Sequence, residues 1–310
     1  MAGIFEPQRV NRGVAALACS SIMTTHILTP IDGSEQSYAG LAYGLASFPD
    51  ARFTAMHIID RRRHRDEGPG ASRPWEERAE EQAERFLERA QDMADDNEQS
   101  IETEVAFGTP HKQLIRYALD ADIDHVIVGS HGRSPIKSPF LGRVSEALLR
   151  RLPVSVTIVS APLTSVEQTN YPGHILLPVD GSRHAMDAID WVATSFPTAS
   201  VTVLHVLDVP FAYTEEARGT YVEGLLEELR APGEEMLAEA ASKLEGHGIQ
   251  TETDLSTGKP SSSIIAYATM HETDQIVMGS AGRSDLRNVL VGSVAERVAR
   301  DSPLPVTLVR

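Results

Sequence analysis

The sequence predicts an α/β protein made of two tandem open parallel sheets, each covered by helices on both faces. Three observations predict it: a motif that recurs after a long offset, short β-branched runs alternating with helical patterns, and uninterrupted apolar runs at the strand positions. His26-Ile27-Leu28-Thr29-Pro30-Ile31-Asp32-Gly33-Ser34 returns 148 residues later as His174-Ile175-Leu176-Leu177-Pro178-Val179-Asp180-Gly181-Ser182. Phe48-Pro49 and His57 return at the same offset, whereas Gly108, Gly129, Gly142 and Val156-Thr157 return after 150. A period this long marks a duplicated domain, not a solenoid unit. The 310 residues are enough for two separate cores. Copy one is placed at 23–160 and copy two at 173–310. Their linker is placed at 161–172, where Ala161-Pro162 and Tyr171-Pro172-Gly173 bracket a polar stretch. Residues 1–22 have no counterpart in copy two and read as a disordered extension ahead of Met23.

Each element follows from local pattern. Residues 26–32 form a β-branched strand leaving through Asp-Gly-Ser, and Ser34 is a good N-cap for a helix to about Ser47. Residues 52–59 alternate as a strand. The stretch 75–97 carries an apolar stripe, Ala79, Ala83, Phe86, Leu87, Ala90 and Met93, at helical spacing. Strand 101–107 is followed by Gly108-Thr109-Pro110, with Pro suited to the first turn of a helix through about Leu119. Val126-Ile127-Val128 is apolar throughout, as a strand covered on both faces should be. A glycine-containing loop, a helix over 143–151 and a strand over 154–159 complete the unit. In copy two, Pro232-Gly233 is expected to interrupt or kink the long second helix.

Composition narrows the function. Twenty-eight Lys and Arg stand against 44 Asp and Glu, a formal charge of −16. That balance disfavours sequence-independent binding to nucleic acid, which depends on neutralising phosphates. Lone Cys19 rules out a disulfide framework and a Cys-based zinc site within one chain. No apolar run is long enough to span a bilayer, so a cytoplasmic protein without membrane contact is expected.

The chemistry concentrates after the fourth strand of copy two. Gly279-Ser280-Ala281-Gly282 is followed, nine residues on, by Gly292-Ser293 opening a helix. Glycines at 279 and 282 let backbone amides approach an anion without an intervening Cβ. Gly292, Ser293 and Val294 add the amides of a helix N-terminus. The first strand ends in the same crevice, so Asp180 can accept from a ribose hydroxyl. Asp180, Ser182 and His184 crowd onto one turn and cannot line up as a hydrolase triad. No residue is assigned a catalytic role.

These residues identify a resemblance. From Met23 to Arg310 the chain resembles a tandem universal stress protein. That family carries Gly, two residues, Gly, nine residues, then Gly with Ser or Thr, and copy two matches it in full. The resemblance implies a Rossmann-like, adenine-nucleotide alpha-hydrolase-like sheet of order 3-2-1-4-5 with ATP at its carboxyl edge. It places the nucleotide on Pro178, Val179, Asp180, Val206, Gly279, Gly282, Gly292, Ser293 and Val294. Adenine would meet backbone near Val206, and ribose would meet Asp180. A magnesium or manganese ion can accompany the triphosphate, although no residue pattern supplies it a dedicated ligand set. In copy one the matching positions are Pro30, Ile31, Asp32, Ile58, Gly129, Gly132, Gly142, Arg143 and Val144. Arg143 stands where Ser or Thr is expected. It can fork onto phosphate oxygens, or its bulk can fill the pocket or turn outward.

Two further features have competing readings. His57 and His205 sit within strands and read as satisfied core histidines. Arg61-Arg62-Arg63-His64-Arg65 reads as a solvated loop, or as a phosphate or partner contact near the adenine end. Three functions follow: an ATP-binding stress-response or signalling module, a slow ATPase or self-phosphorylating enzyme, or a nucleotide-independent scaffold for an unknown protein partner. The resemblance also implies pairing of last strands. Val154–Val159 and Pro305–Val309 can achieve it within one chain as a pseudo-dimer, with homodimerisation through the remaining faces.

Overall fold

The computed structural model describes residues 24–64, 74–131, 141–160, 171–208, 221–282 and 291–310. Residues 1–22 with Cys19, Gly132, the loops 133–139 and 283–289, and most of the 161–172 linker lie outside the described residues.

Copy one runs β1 (His26–Pro30), α1 (Glu35–Ser47), β2 (Arg52–Ile59), a 3-10 turn (Arg61–His64), α2 (Trp75–Asp96), β3 (Ile101–Phe107), α3 (Pro110–Asp120), β4 (His125–Gly129), α4 (Arg143–Arg151) and β5 (Ser155–Val159). Copy two repeats this order with β6 (His174–Pro178), α5 (Arg183–Ser195), β7 (Ser200–Leu207), α6 (Tyr221–Gly246), β8 (Thr251–Thr257), α7 (Pro260–Met270), β9 (Gln275–Gly279), α8 (Ser293–Asp301) and β10 (Val306–Val309). Within each copy the strands are parallel. All ten join one sheet of order β3-β2-β1-β4-β5-β10-β9-β6-β7-β8, which is the 3-2-1-4-5 pattern met by its own rotated image. The two halves meet where β5 and β10 pair antiparallel, with Thr157 opposite Thr307. That pairing covers the two strand edges that an isolated copy would expose.

Two large cores follow from two-sided burial, and each runs through both copies; a small third cluster of Ile59, Ala79 and Ala83 lies within copy one. One face gathers Tyr38, Leu41, Tyr43 and Leu45 of α1 and Leu87 of α2 with Ile189 and Val192 of α5 and Leu237 of α6. The other gathers Leu114 of α3 and Leu148 of α4 with Ile264 of α7 and Val298 of α8. Successive residues of β4 feed opposite faces: Val126 and Val128 enter the second core and Ile127 the first.

Of the two outcomes expected at Pro232, an interruption or a kink, the structure excludes the first. The helix α6 is continuous from Tyr221 to Gly246 with Pro232 inside it, so the expected interruption does not occur. Tertiary packing holds the segment helical: Leu237, Ala240 and Leu244 are buried in the core beyond the proline. No helix among the described residues is long and apolar enough to cross a membrane.

Candidate functional site

The site is built at the carboxyl edge of each half-sheet, where the strands end and helices begin. In copy two β6 stops at Pro178. Val179 continues through its amide, which donates to the Leu204 carbonyl at 2.8 Å, and Asp180-Gly181-Ser182 then turns the chain into α5. Gly181 takes φ of 75°, a conformation costly for residues with a Cβ. The Ser182 amide donates to Asp180 Oδ1 at 3.0 Å, and the Ser182 hydroxyl caps α5 by accepting from the Ala185 amide at 3.2 Å. The carboxylate is thereby fixed at the mouth of the crevice.

Its other oxygen faces the glycine loop. A Cβ placed on Gly282 would stand 2.7 Å from Asp180 Oδ2. The Gly292 amide donates to the Ser280 carbonyl at 2.7 Å, and a Cβ at 292 would lie 3.4 Å from the Gly282 nitrogen. Asp180, Gly282 and Gly292 therefore converge. Gly292 is the N-cap of α8 and provides no side-chain cap, unlike the Ser caps of α1 and α5. The first amides of α8, at Ser293 and Val294, thus present their partial positive charge at the cradle. Ser293 is exposed there and Val294 half-buried.

Val206 lies near the end of β7. The Leu204 carbonyl faces β6, and the Leu207 carbonyl faces β8, where it accepts from the Gly258 amide at 3.0 Å. Since backbone polar groups alternate sides along a strand, those of Val206 face the β6 side. The β6 ladder ends at Pro178 opposite Leu204, so Val206 extends past it.

The first glycine of the motif has a different physical cause. A Cβ on Gly279 would meet the His184 carbonyl carbon at 2.5 Å, and one on Gly129 would meet the Gln36 carbonyl oxygen at 2.5 Å. Both let the helix after the Asp turn lie directly against its strand. Helix–strand packing alone accounts for a glycine at these positions.

Copy one repeats the frame with changed chemistry. Pro30 ends β1, the Ile31 amide donates to the Met56 carbonyl at 2.9 Å, and Ile58 holds the place of Val206. Gly33 has φ of 78°, and the Phe86 ring lies over it. Asp32 Oδ1 accepts from both the Ser34 amide at 3.0 Å and the Ser34 hydroxyl at 2.5 Å. The Gly142 amide donates to the Ser130 carbonyl at 2.7 Å, as in copy two. Arg143 is exposed at the first residue of α4, with Val144 half-buried behind it. Gly132, the fourth member of the motif, lies outside the described residues.

Two histidines omitted from the site act as its braces. His57 Nδ1 donates to the Ile31 carbonyl at 2.6 Å and His205 Nδ1 to the Val179 carbonyl at 2.7 Å. A carbonyl can only accept, so each Nδ1 carries the proton. Each bond ties the second strand to the residue before the aspartate. Their recurrence at one offset was the available signal. Within the arginine run, Arg62 pairs with Asp60 at 2.8 Å and the Arg61 guanidinium lies 5.4 Å from the centre of the Phe107 ring. Among the described residues, no group of three or more His, Cys, Asp and Glu is gathered to hold a metal.

Comparison with known proteins agrees with this architecture. The family model described as "Universal stress protein family" matches residues 23–160 and again 172–310. A universal stress protein of Methanocaldococcus jannaschii is 33% identical over 139 residues, covering 44% of this chain and 81% of that protein. A universal stress protein of Mycolicibacterium smegmatis is 28% identical over 307 residues, covering 92% of this chain and 96% of the relative. The crystal structure of a universal stress protein from Archaeoglobus fulgidus has a TM-score of 0.63 at 22% identity. It covers 92% of this chain and 96% of its own, a likeness of fold.

Proposed function

The chain belongs to the universal stress protein family, and on that premise we propose that copy two binds an adenine nucleotide, ATP in particular, as a regulatory ligand. The observation that carries the reading is the convergence of Asp180 Oδ2 on Gly282, beside the uncapped start of α8. In this arrangement Asp180 accepts from a ribose hydroxyl. The amides of Ser293 and Val294 meet phosphate oxygens, the Ser293 hydroxyl donates one more bond, and the backbone of Val206 meets the adenine edge. The donor set suits a triphosphate, because backbone amides at a helix N-terminus supply positive potential without a basic side chain. A magnesium or manganese ion would come with the phosphate oxygens that ligate it.

Calorimetric titration of ATP into the full chain tests the reading. Gly282→Val with Gly292→Val is expected to remove one binding event relative to the unaltered chain, with the fold retained by circular dichroism. An unchanged stoichiometry and affinity in that double variant would overturn the assignment.

A further inference from the structure

In each copy the ladder between the first two strands stops one bond early, and a histidine stands where it stops. Bonds in a parallel ladder alternate between the strands. After the Val179 amide donates to the Leu204 carbonyl, the Val206 amide would donate back to the Val179 carbonyl. The first bond is made, at 2.8 Å, but the pairing ends with Pro178 opposite Leu204. The Val179 carbonyl accepts from His205 Nδ1 at 2.7 Å instead. Val206 is 9% exposed, and among the described residues neither its amide nor its carbonyl meets a backbone partner on the β6 side. Copy one stops at the same bond. The Ile31 amide donates to the Met56 carbonyl at 2.9 Å, the pairing ends with Pro30 opposite Met56, and His57 Nδ1 donates to the Ile31 carbonyl at 2.6 Å.

The imidazole takes the carbonyl from one face of the sheet. Side chains stand perpendicular to a sheet, whereas ladder bonds run along it. The His205 ring lies on the α6 face, where a Cβ on Gly233 would stand 3.1 Å from His205 Cδ2. In copy one the Phe86 ring of α2 lies edge-on to His57, with centroids 5.4 Å apart. A donor on that face draws the carbonyl out of the plane in which the Val206 amide would reach it. An unpaired backbone amide this buried is costly. A ligand edge that accepts and donates side by side would satisfy both polar groups of Val206. The adenine edge does so, since its ring nitrogen accepts and its amino group donates. We infer that His205 is a positioning residue of the nucleotide site, holding the Val179 carbonyl toward α6 so that the Val206 backbone stays open to the base. The role assigned to the base rests on the adenine reading of copy two; the role assigned to the imidazole is visible without ligand.

Amide hydrogen exchange in the ligand-free full chain, followed by NMR, tests the imidazole. In His205→Phe the Val179 carbonyl loses its donor and is expected to close onto the Val206 amide, slowing exchange at Val206 by about tenfold, the protection of one hydrogen bond. His205→Asn, whose side-chain amide donates as Nδ1 does, is expected to keep the exchange fast. An unslowed Val206 in His205→Phe would overturn the inference whether or not nucleotide binds. Calorimetric titration with ATP and inosine triphosphate, which differ only at the base edge, tests the base. The event read is the one that Gly282→Val with Gly292→Val removes. There the unaltered chain is expected to prefer ATP by about tenfold, His205→Phe to bind both within about twofold, and His205→Asn to restore the preference. A preference that survives in His205→Phe would overturn the inference, as would one that His205→Asn does not restore. If the unaltered chain binds neither nucleotide, the reading of copy two fails, and the exchange rates alone decide what His205 does.

Discussion

In copy one the Ser34 hydroxyl donates to Asp32 at 2.5 Å, whereas in copy two the Ser182 hydroxyl turns to the Ala281 carbonyl at 3.4 Å. The two turns share sequence, positive-φ glycine and helix cap. They differ in where one hydroxyl proton points. In copy one it is committed to the aspartate's own turn. In copy two it is directed toward the glycine loop, the same loop that Asp180 Oδ2 faces. The lesson is local: a serine hydroxyl can bond within its own turn or to a neighbouring loop without any change in backbone class.

The sharpest way to break this comparison is to remove each carboxylate in turn. Asp180→Ala is expected to weaken nucleotide binding by about 2 kcal/mol, roughly thirtyfold, the range for a hydrogen bond to a charged group. Asp32→Ala should leave copy-two affinity unchanged and act on stability, since it strips two acceptor bonds from the α1 entry. Titration of both variants with ATP checks it. Equal losses would mean that the two turns are equivalent after all.

Much of the fold was readable because burial imposes period. The two-faced Val126-Ile127-Val128 run, the Ser34 cap and the α2 stripe each gave element type and extent within a residue or two. Pro232 does not interrupt its helix, because the cost of a proline is local and the packing of Leu237 and Leu244 is not. At the sheet edge, glycine spacing singled out Gly279, Gly282 and Gly292 but could not separate their roles. Gly279 and Gly282 read alike in sequence, yet only coordinates show one against the His184 backbone and the other against Asp180. The seam was legible as strand pairing and illegible as chemistry. Nothing in a single chain signals that the Tyr43 hydroxyl of α1 will donate to Gln275 Oε1 of β9, far away in sequence, at 2.8 Å.

Across that seam the copies also differ in proton chemistry. His125 titrates and its counterpart Gln275 does not. Burial pushes the His125 imidazole down to about 3. The unfolded chain, with an ordinary histidine near 6.5, therefore binds more protons between those limits, and stability falls as pH drops below about 7. From pH 7.5 to 5.5 this one group should cost about 1.4 kcal/mol. His26 is also lowered, chiefly by burial and then by Arg52, and adds to the same slope. Denaturant unfolding of the unaltered chain and of His125→Gln across that range isolates the His125 share. Parallel slopes in the two proteins would place the imidazole in solvent.

The smallest expected difference concerns the helix starts themselves. Gly142 and Gly292 cap α4 and α8 with near-identical geometry, φ and ψ of −60° and 151° against −73° and 154°. Arg143 puts a cation at the positive end of its helix, and Ser293 does not. A cation there opposes the helix dipole by about 0.3–1 kcal/mol at low ionic strength. Arg143→Ser should therefore stabilise the ligand-free chain by that amount, Ser293→Arg should destabilise it similarly, and both effects should fade in high salt. Urea unfolding at two salt concentrations measures them. A loss of stability in Arg143→Ser would mean that the guanidinium is held by an anionic partner within the fold. That result would move Arg143 from an exposed liability to a structural ligand of copy one.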